Sequence, residues 1–167
     1  MLCGLGFDAQ VAHDFAKQKK RGLSTYIRQS VKNFFSAGHY TFEIIQDGKP
    51  LNSEAFFISI ANSNQFGNNF TIAPQASLYD GLLDIVVVNK MSKLRMIMRV
   101  LKQVRNGKVS MYEDKKYHHN EIHYFQTKAL TIYNSNNAPL HIDGDPAATA
   151  DKFEIRIIEN AFRLLMG

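Results

Sequence analysis

Three short segments of this chain combine aspartate with glycine, a pairing that can hold a carboxylate in a sharp bend. In residues 142–145 (IDGD), a strand is expected to end near Ile142, and Gly144 permits a turn that brings two carboxylates together. Phosphoryl transfer from ATP to an alcohol needs a base for the hydroxyl proton and acidic oxygens for Mg²⁺, and this pair can serve either role. An ordinary hairpin turn has the same composition and remains the alternative.

The second segment, residues 77–82 (SLYDGL), places the Asp80 carboxylate in a loop whose backbone carbonyls can converge on one point. Hard cations such as Mg²⁺ take oxygen ligands of this kind. An Asp-Gly turn that merely leads into a strand explains the same residues. Residue types alone therefore leave a cation site and a plain turn equally open.

The third segment, residues 4–9 (GLGFDA), has two of the three glycines of a dinucleotide-binding loop and no room for a strand before them. The sequence favours a strand-to-helix turn in which Asp8 is the helix N-cap, a contact that contributes about 1 kcal/mol.

Other reactive residue types lack a catalytic spacing. Cys3 is the single cysteine, no Cys-His pattern surrounds it, and a buried core thiol is expected. The histidines at 118, 119, 123 and 141 match no zinc-binding spacing, and those at 119 and 123 indicate one polar face of a strand.

Hydrophobic periodicity predicts the elements that must position these carboxylates. Gln46-Asp47-Gly48-Lys49 is a strong hairpin signal, and βαβ units with a Gly-rich phosphate loop are missing. The prediction is an α+β fold, mainly an antiparallel β-sandwich with a few peripheral helices. We predict helices over residues 8–22, 24–35 and 92–108, and strands over 40–45, 54–61, 82–89, 121–125, 129–134, 140–143 and 153–158.

Composition bounds the class of protein. With 167 residues, 45% hydrophobic and 21% charged, the chain suits one globular domain, and no apolar run is long enough to span a membrane. No secretory signal is evident, and a single cysteine fits a reducing compartment. The net charge of +5 is concentrated in residues 17–21 and 93–108, which would attract nucleic acid, nucleotides or acidic lipid headgroups. The basic helix over 92–108 is expected to be a solvated surface helix, with membrane docking as the alternative.

Taken in order, residues 4–9, residues 60–84 (IANSNQFGNNFTIAPQASLYDGLLD) and residues 141–145 (HIDGD) resemble the C-terminal half of the bacterial diacylglycerol kinase-like lipid kinases. The resemblance runs from Gly4 to the end of the chain. The family's Gly-Gly-Asp-Gly-Thr nucleotide motif is absent. The resemblance implies that residues 1–167 are the substrate-side β-sandwich domain, that ATP binds in a cleft shared with an absent N-terminal nucleotide-binding α/β domain, and that this chain alone is inactive.

The resemblance also implies roles for individual residues. The family carries Asp-Gly-Glu where this chain has residues 143–145, so the general base falls on Asp145, whose side chain is shorter by roughly 1.3 Å, about one C–C bond. Asp143 becomes its orienting or metal-linked partner. Gly6 and Asp8 would line the cleft and face substrate. A structural Mg²⁺ would be held by the Asp80 side chain and by the carbonyls of Ser77 and Leu82.

The implied setting is the cytoplasm, at the inner face of the membrane, with a lipid substrate, no nucleic acid and a possible homodimer. Rival interpretations are a relative that phosphorylates a sphingoid base, another lipid alcohol or a soluble alcohol, and a non-catalytic lipid- or protein-binding β-domain. The NAD kinases share the architecture, but their motifs match less well. A Gly-Gly-Asp-Gly-Thr motif in the coding sequence just upstream would favour the kinase.

Overall fold

The computed structural model describes residues 2–18, 33–34, 38–63, 73, 75–90, 92, 122–158 and 161. The predicted helix over 92–108 falls outside these residues except for Ser92. Of the predicted helix over 24–35, only residues 33 and 34 are described.

One helix and nine strands make up this described part of the chain. They are β1 (Leu2–Gly6), α1 (Phe7–Ala16), β2 (Tyr40–Gln46), β3 (Lys49–Ala61), β4 (Leu83–Asn89), β5 (Ile122–Thr127), β6 (Ala129–Tyr133), β7 (Leu140–Ile142), β8 (Asp145–Ala147) and β9 (Lys152–Arg156).

The strands form one curled, antiparallel sheet in the order β8-β7-β1-β3-β2-β6-β9, with β4 paired to β3 and β5 paired to β4. Strand β3 has 13 residues, and this length organises the sheet. Its first half pairs with β2, whereas its second half lies between β1 and β4. The register shifts between Ala55 and Phe57. The predicted fold, mainly antiparallel β with a sandwich-like arrangement, is confirmed.

Strand β4 is buried on both faces, although antiparallel strands often expose one face to water. Ile85 and Val87 pack in a cluster with Leu5 and Ile58, whereas Val86 and Val88 pack in a second cluster on the opposite face. Full burial of each such side chain contributes about 1.5–3 kcal/mol. The continuous apolar run of this strand therefore reflects a layer on each side of it.

Most predicted strands appear within one to five residues of their expected bounds, and the β2–β3 hairpin turns at Asp47 and Gly48 with φ of 49° and 73°. Positive φ at both positions is the type I′ geometry that Asp-Gly favours.

Two expectations about the first helix are wrong. Its N-cap is Gly6, not Asp8, and no side chain caps it. The helix also ends at Ala16 instead of near Gly22, because the Gln18 N–H donates to the Phe15 carbonyl at 3.0 Å and tightens the last turn.

Candidate functional site

Strands β7 and β8 form a short hairpin whose turn is Asp143-Gly144. The φ angles of these two residues are 50° and 88°, so this is a second type I′ turn. Ile142 pairs with Asp145 across it. Asp145, the predicted base, is therefore the first residue of β8, a strand the sequence pattern did not indicate. Its side chain is exposed to solvent.

Asp143 ties this turn to the start of β1. Its Oδ1 accepts the Leu2 N–H at 2.6 Å, and its own N–H donates to the Leu2 carbonyl at 2.7 Å. These bonds continue the β7–β1 pairing beyond the last residue of β7. The arrangement suits the orienting role predicted for Asp143, and a link to metal stays a prediction.

Helix α1 contacts the same hairpin through a buried polar pair. The Asp8 and His141 side chains are 11% and 1% exposed, and Asp8 Oδ2 lies 3.2 Å from His141 Nε2. Burial raises the pKa of the Asp8 carboxyl, although its hydrogen bond with His141 acts in the opposite direction. Gly4 leaves the space for this pair, because an added Cβ there would overlap both side chains.

His141 also contacts the turn itself. Its Nδ1 accepts the Gly144 N–H at 3.2 Å. From the sequence, His141 is weighed as a zinc ligand and lies in residues 141–145, which carry the family resemblance, but it has no predicted role of its own. The signal available was its position two residues before Asp143, at the end of a strand.

Gly6 has a structural reason for being glycine. Its φ is 100°, and an added Cβ would lie 2.5 Å from the Phe56 carbonyl oxygen. Its N–H donates to the Pro139 carbonyl at 2.9 Å. The chain passes from β1 into α1 at Gly6, in close contact with β3. That Gly6 or Asp8 contacts substrate stays a prediction.

The Asp80 loop lies on the surface before β4. Asp80 Oδ1 accepts the Leu82 N–H at 3.0 Å, and Ser77 Oγ accepts the Tyr79 N–H at 3.2 Å. Gly81 has φ of 68°, a left-handed conformation that glycine adopts without strain. The loop is thus an Asp-Gly bend with an exposed carboxylate.

A second carboxylate, Asp84, lies behind this loop and was not predicted. It is fully buried in β4, where it accepts hydrogen bonds from the Tyr124 hydroxyl and from Gln126 Nε2 at 3.2 Å. The same Gln126 nitrogen lies 3.5 Å from Asp80 Oδ2. Burial raises the pKa of Asp84, and the negative charge of Asp80 raises it further. An aspartate inside the apolar run of β4 was the available signal.

The residue types around Asp80 suit a hard cation. Asp80 has an exposed carboxylate, and the carbonyls of Ser77 and Leu82 stay predicted ligands. In the described ranges, no three His, Cys, Asp or Glu side chains are grouped as a metal site. A bound ion would thus rely on one carboxylate, carbonyls and water, a set compatible with Mg²⁺, which usually keeps several waters.

The two carboxylate sites lie at the same end of the sheet. Leu2, which Asp143 holds, is opposite Ala61, and Ala61 is opposite Asp84. Two strand spacings thus separate Leu2 from Asp84, or about 10 Å.

No helix among the described residues is long and apolar enough to cross a bilayer.

Comparison with known proteins gives a family match over nearly the whole chain. The model of the YegS C-terminal NAD kinase beta sandwich-like domain matches residues 2–166. A "probable lipid kinase YegS-like" of Shewanella frigidimarina is 26% identical over 163 residues, which cover 96% of this chain and 50% of that protein. One of the same description from Chromohalobacter salexigens is 23% identical over 147 residues, covering 87% and 45%. The chain therefore spans about half the length of the curated relatives it matches.

Solved structures agree on the fold. A diacylglycerol kinase structure from Bacillus anthracis str. Sterne superposes with a TM-score of 0.64 at 21% identity. Two further structures from that organism give TM-scores of 0.68 and 0.65 at 19% and 20% identity. Each match covers 96% of this chain and 50% of the other.

Proposed function

Because this chain belongs to the family of YegS C-terminal NAD kinase beta sandwich-like domains, we propose that it is the substrate-side half of an ATP-dependent lipid kinase. The acceptor is a lipid hydroxyl such as that of diacylglycerol. The family match supports the reaction class, and the relatives are described as probable lipid kinases. The observation that carries the proposal is the exposed Asp145 carboxylate beside a hydrogen-bonded turn.

In the proposed reaction, the lipid hydroxyl oxygen attacks the γ-phosphorus of ATP and the bond to the β,γ-bridging oxygen breaks. ADP leaves, and the hydroxyl proton passes to the Asp145 carboxylate. Asp143 holds the turn through Leu2 and so fixes the direction of Asp145. Asp145 directly follows the type I′ turn and is exposed, which supports its proposed approach to a substrate hydroxyl.

Mg²⁺ would be held by the Asp80 carboxylate and the carbonyls of Ser77 and Leu82. When bound, the ion would supply positive charge that stabilises the loop of residues 77–82 and offsets the charges of the Asp80 and Asp84 carboxylates. Gln126 donates to Asp84 and approaches Asp80, so it connects the loop to β5.

ATP is proposed to lie between this domain and an accompanying nucleotide-binding α/β domain. Among the described residues, the glycine-containing turn that leads from a strand into a helix is the β1–α1 turn. Gly6 is closely packed there, and the turn is not a Gly-rich phosphate loop. Asp8 and Gly6 would lie on the substrate side of that cleft. The complete enzyme would work at the inner face of the membrane, and a homodimer is part of the proposal.

The test is transfer of labelled phosphate from ATP to diacylglycerol and a panel of lipid alcohols. The chain would be assayed alone and as a chimera with the half of the Shewanella frigidimarina protein that lies outside the match. We expect transfer only with the chimera, and a loss of at least about 100-fold in Asp145→Asn, because a positioned base contributes that much or more.

Asp151→Asn, another exposed carboxylate, is the matched control and should retain activity. The intact Shewanella frigidimarina protein is the positive control. A folded chimera that transfers no phosphate while that protein does would contradict the proposal.

The shorter carboxylate favours a second candidate function, a non-catalytic lipid- or protein-binding domain. Catalysis is sensitive to displacements of about 1 Å, and Asp145 is one methylene shorter than the glutamate of the resembling family. Vesicle binding without transfer, unchanged in Asp145→Glu, would favour this candidate. Transfer that increases in Asp145→Glu would favour the kinase.

A further inference from the structure

We propose that His141 is a positioning residue that holds the Asp143-Gly144 turn in register with helix α1, and so sets where Asp145 points. This inference rests on the proposed role of Asp145. His141 is 1% exposed and bonds to Asp8 on one side and to Gly144 on the other. It therefore connects two elements that begin 133 residues apart in sequence.

The two hydrogen bonds require one form of the imidazole ring. The Gly144 N–H is a donor, so Nδ1 must be unprotonated to accept it. A neutral ring then carries its proton on Nε2, where it donates to the Asp8 carboxylate. In this tautomer both ring nitrogens are satisfied, and the ring cannot rotate without losing a buried hydrogen bond.

The surroundings make this connection rigid. Gly4 lies against both side chains, and a Cβ there would displace the pair. The Asp8 backbone belongs to the first turn of α1, and Asp8 Oδ1 also accepts the Ala9 N–H at 2.8 Å. Further along the helix, His13 Nε2 donates to the Leu140 carbonyl at 2.8 Å. Helix α1 is thus bonded to β7 at two points, and His141 is also bonded to the turn that follows β7.

Two substitutions separate the two bonds. In His141→Asn the side-chain oxygen takes the place of Nδ1, which keeps an acceptor for Gly144 but no reach to Asp8. In His141→Gln the amide nitrogen takes the place of Nε2, which keeps the donor to Asp8 but no acceptor for Gly144. If His141 holds the turn, His141→Gln should free the Gly144 amide, whereas His141→Asn should leave that amide bonded and only loosen the turn from α1.

The first readout is NMR of the ¹⁵N-labelled chain, which does not depend on enzyme activity. We expect the His141 ring to carry its proton on Nε2 and the Gly144 amide to exchange slowly with solvent. In His141→Gln the Gly144 exchange should be about 10-fold faster or more, as for a bond worth about 1.4 kcal/mol, and in His141→Asn it should be unchanged.

The second readout is the kinetics of the chimera described above. We expect kcat to fall about 10- to 100-fold in His141→Gln because the base is displaced, with the KM for ATP unchanged. We expect a smaller fall in His141→Asn, which keeps the bond to Gly144 but loses the connection to α1. A proton on Nδ1, or an equal effect of the two substitutions, would overturn the proposal. If the unsubstituted chimera transfers no phosphate, the kinase proposal fails, and the Gly144 exchange rates still decide whether His141 holds the turn.

Discussion

Cys3 lies near the start of β1, and its thiol is close enough to Asp8 and Asp143, two predicted site residues, to be affected by their charges. Burial raises the pKa of this thiol to about 11, and the negative charges of Asp8 and Asp143 contribute in the same direction. A thiolate there would be an anion with little water and two carboxylates near it. Burial also raises the pKa of the Asp8 carboxyl, so additional negative charge is disfavoured around these side chains.

Cys3 should consequently react slowly with alkylating reagents. At pH 8 a thiol with a pKa of about 11 is ionised in about one molecule in a thousand, so iodoacetamide should react about 100-fold more slowly than with a peptide thiol. The rate should rise about tenfold per pH unit up to about pH 11. Because the chain has one cysteine, the reaction reports on this site alone.

Unfolding in urea is the control, since it removes Asp8 and Asp143 from the thiol and should restore the peptide rate. Fast alkylation of the folded chain at pH 8 would refute this account of Cys3.

Two hairpins of the sheet close with the same Asp-Gly dipeptide and the same type I′ geometry, yet they are held differently. Both turns are exposed, and an added Cβ at either glycine would meet nothing within 4 Å. Asp143-Gly144 is bound to Leu2 and His141. The Asp-Gly dipeptide and its turn type therefore do not distinguish the two hairpins, whereas the contacts with neighbouring elements do.

Asn134 organises the connection from β6 to β7 and joins it to the segment that follows β8. Its side chain is fully buried; Nδ2 donates to Ala138, Thr149 and Ala150, and Oδ1 accepts the Ala138 N–H at 2.8 Å. Asn134→Ala should lower the free energy of unfolding by about 3 kcal/mol, because buried polar groups lose their partners.

Urea denaturation with a fitted m-value measures this loss. Ser135→Ala, an exposed neighbour in the same turn, should change stability by no more than about 0.5 kcal/mol. Equal stability of Asn134→Ala and Ser135→Ala would contradict the role given to Asn134.

At the scale of the whole molecule, Gly6 and the start of α1 lie at the opposite end of β1 from Leu2, whereas the curled sheet places the β7–β8 turn and the Asp80 loop together at the Leu2 end. Strands β1 and β3 lie between them, and the pairing Leu2-Ala61-Asp84 gives their order. A domain that meets this end would face Asp143, Asp145 and the Asp80 loop. In the proposed kinase, the nucleotide-binding domain contacts this end.

If Asp80 holds Mg²⁺, the ion should stabilise the entire fold, because a ligand that binds only the folded state raises the free energy of unfolding. At a Mg²⁺ concentration 100-fold above the dissociation constant, the gain is about 2.7 kcal/mol. Asp80→Asn keeps an oxygen to accept the Leu82 N–H but removes the charge, so it should abolish the Mg²⁺-dependent rise in Tm.

Asp47→Asn, in another exposed Asp-Gly turn, is the matched control and should leave the rise in Tm intact. NaCl at equal ionic strength separates binding from screening. An unchanged Tm in Mg²⁺ for the unsubstituted chain, or an equal rise in Asp80→Asn, would remove the metal site from the proposed function.

The sequence alone determined seven of the nine strands, the Asp47-Gly48 hairpin and the antiparallel, β-dominated class, because these depend on alternation and turn residues within a few positions. Tertiary structure decided the remainder. Strand β1 has two glycines in five residues and exists as a strand because β3 and β7 pair with its backbone. The partner of Asp8 is His141, 133 positions away, so no local pattern reveals it. Pairings of this kind depend on which strands the sheet places side by side, and that is settled only when the whole core packs.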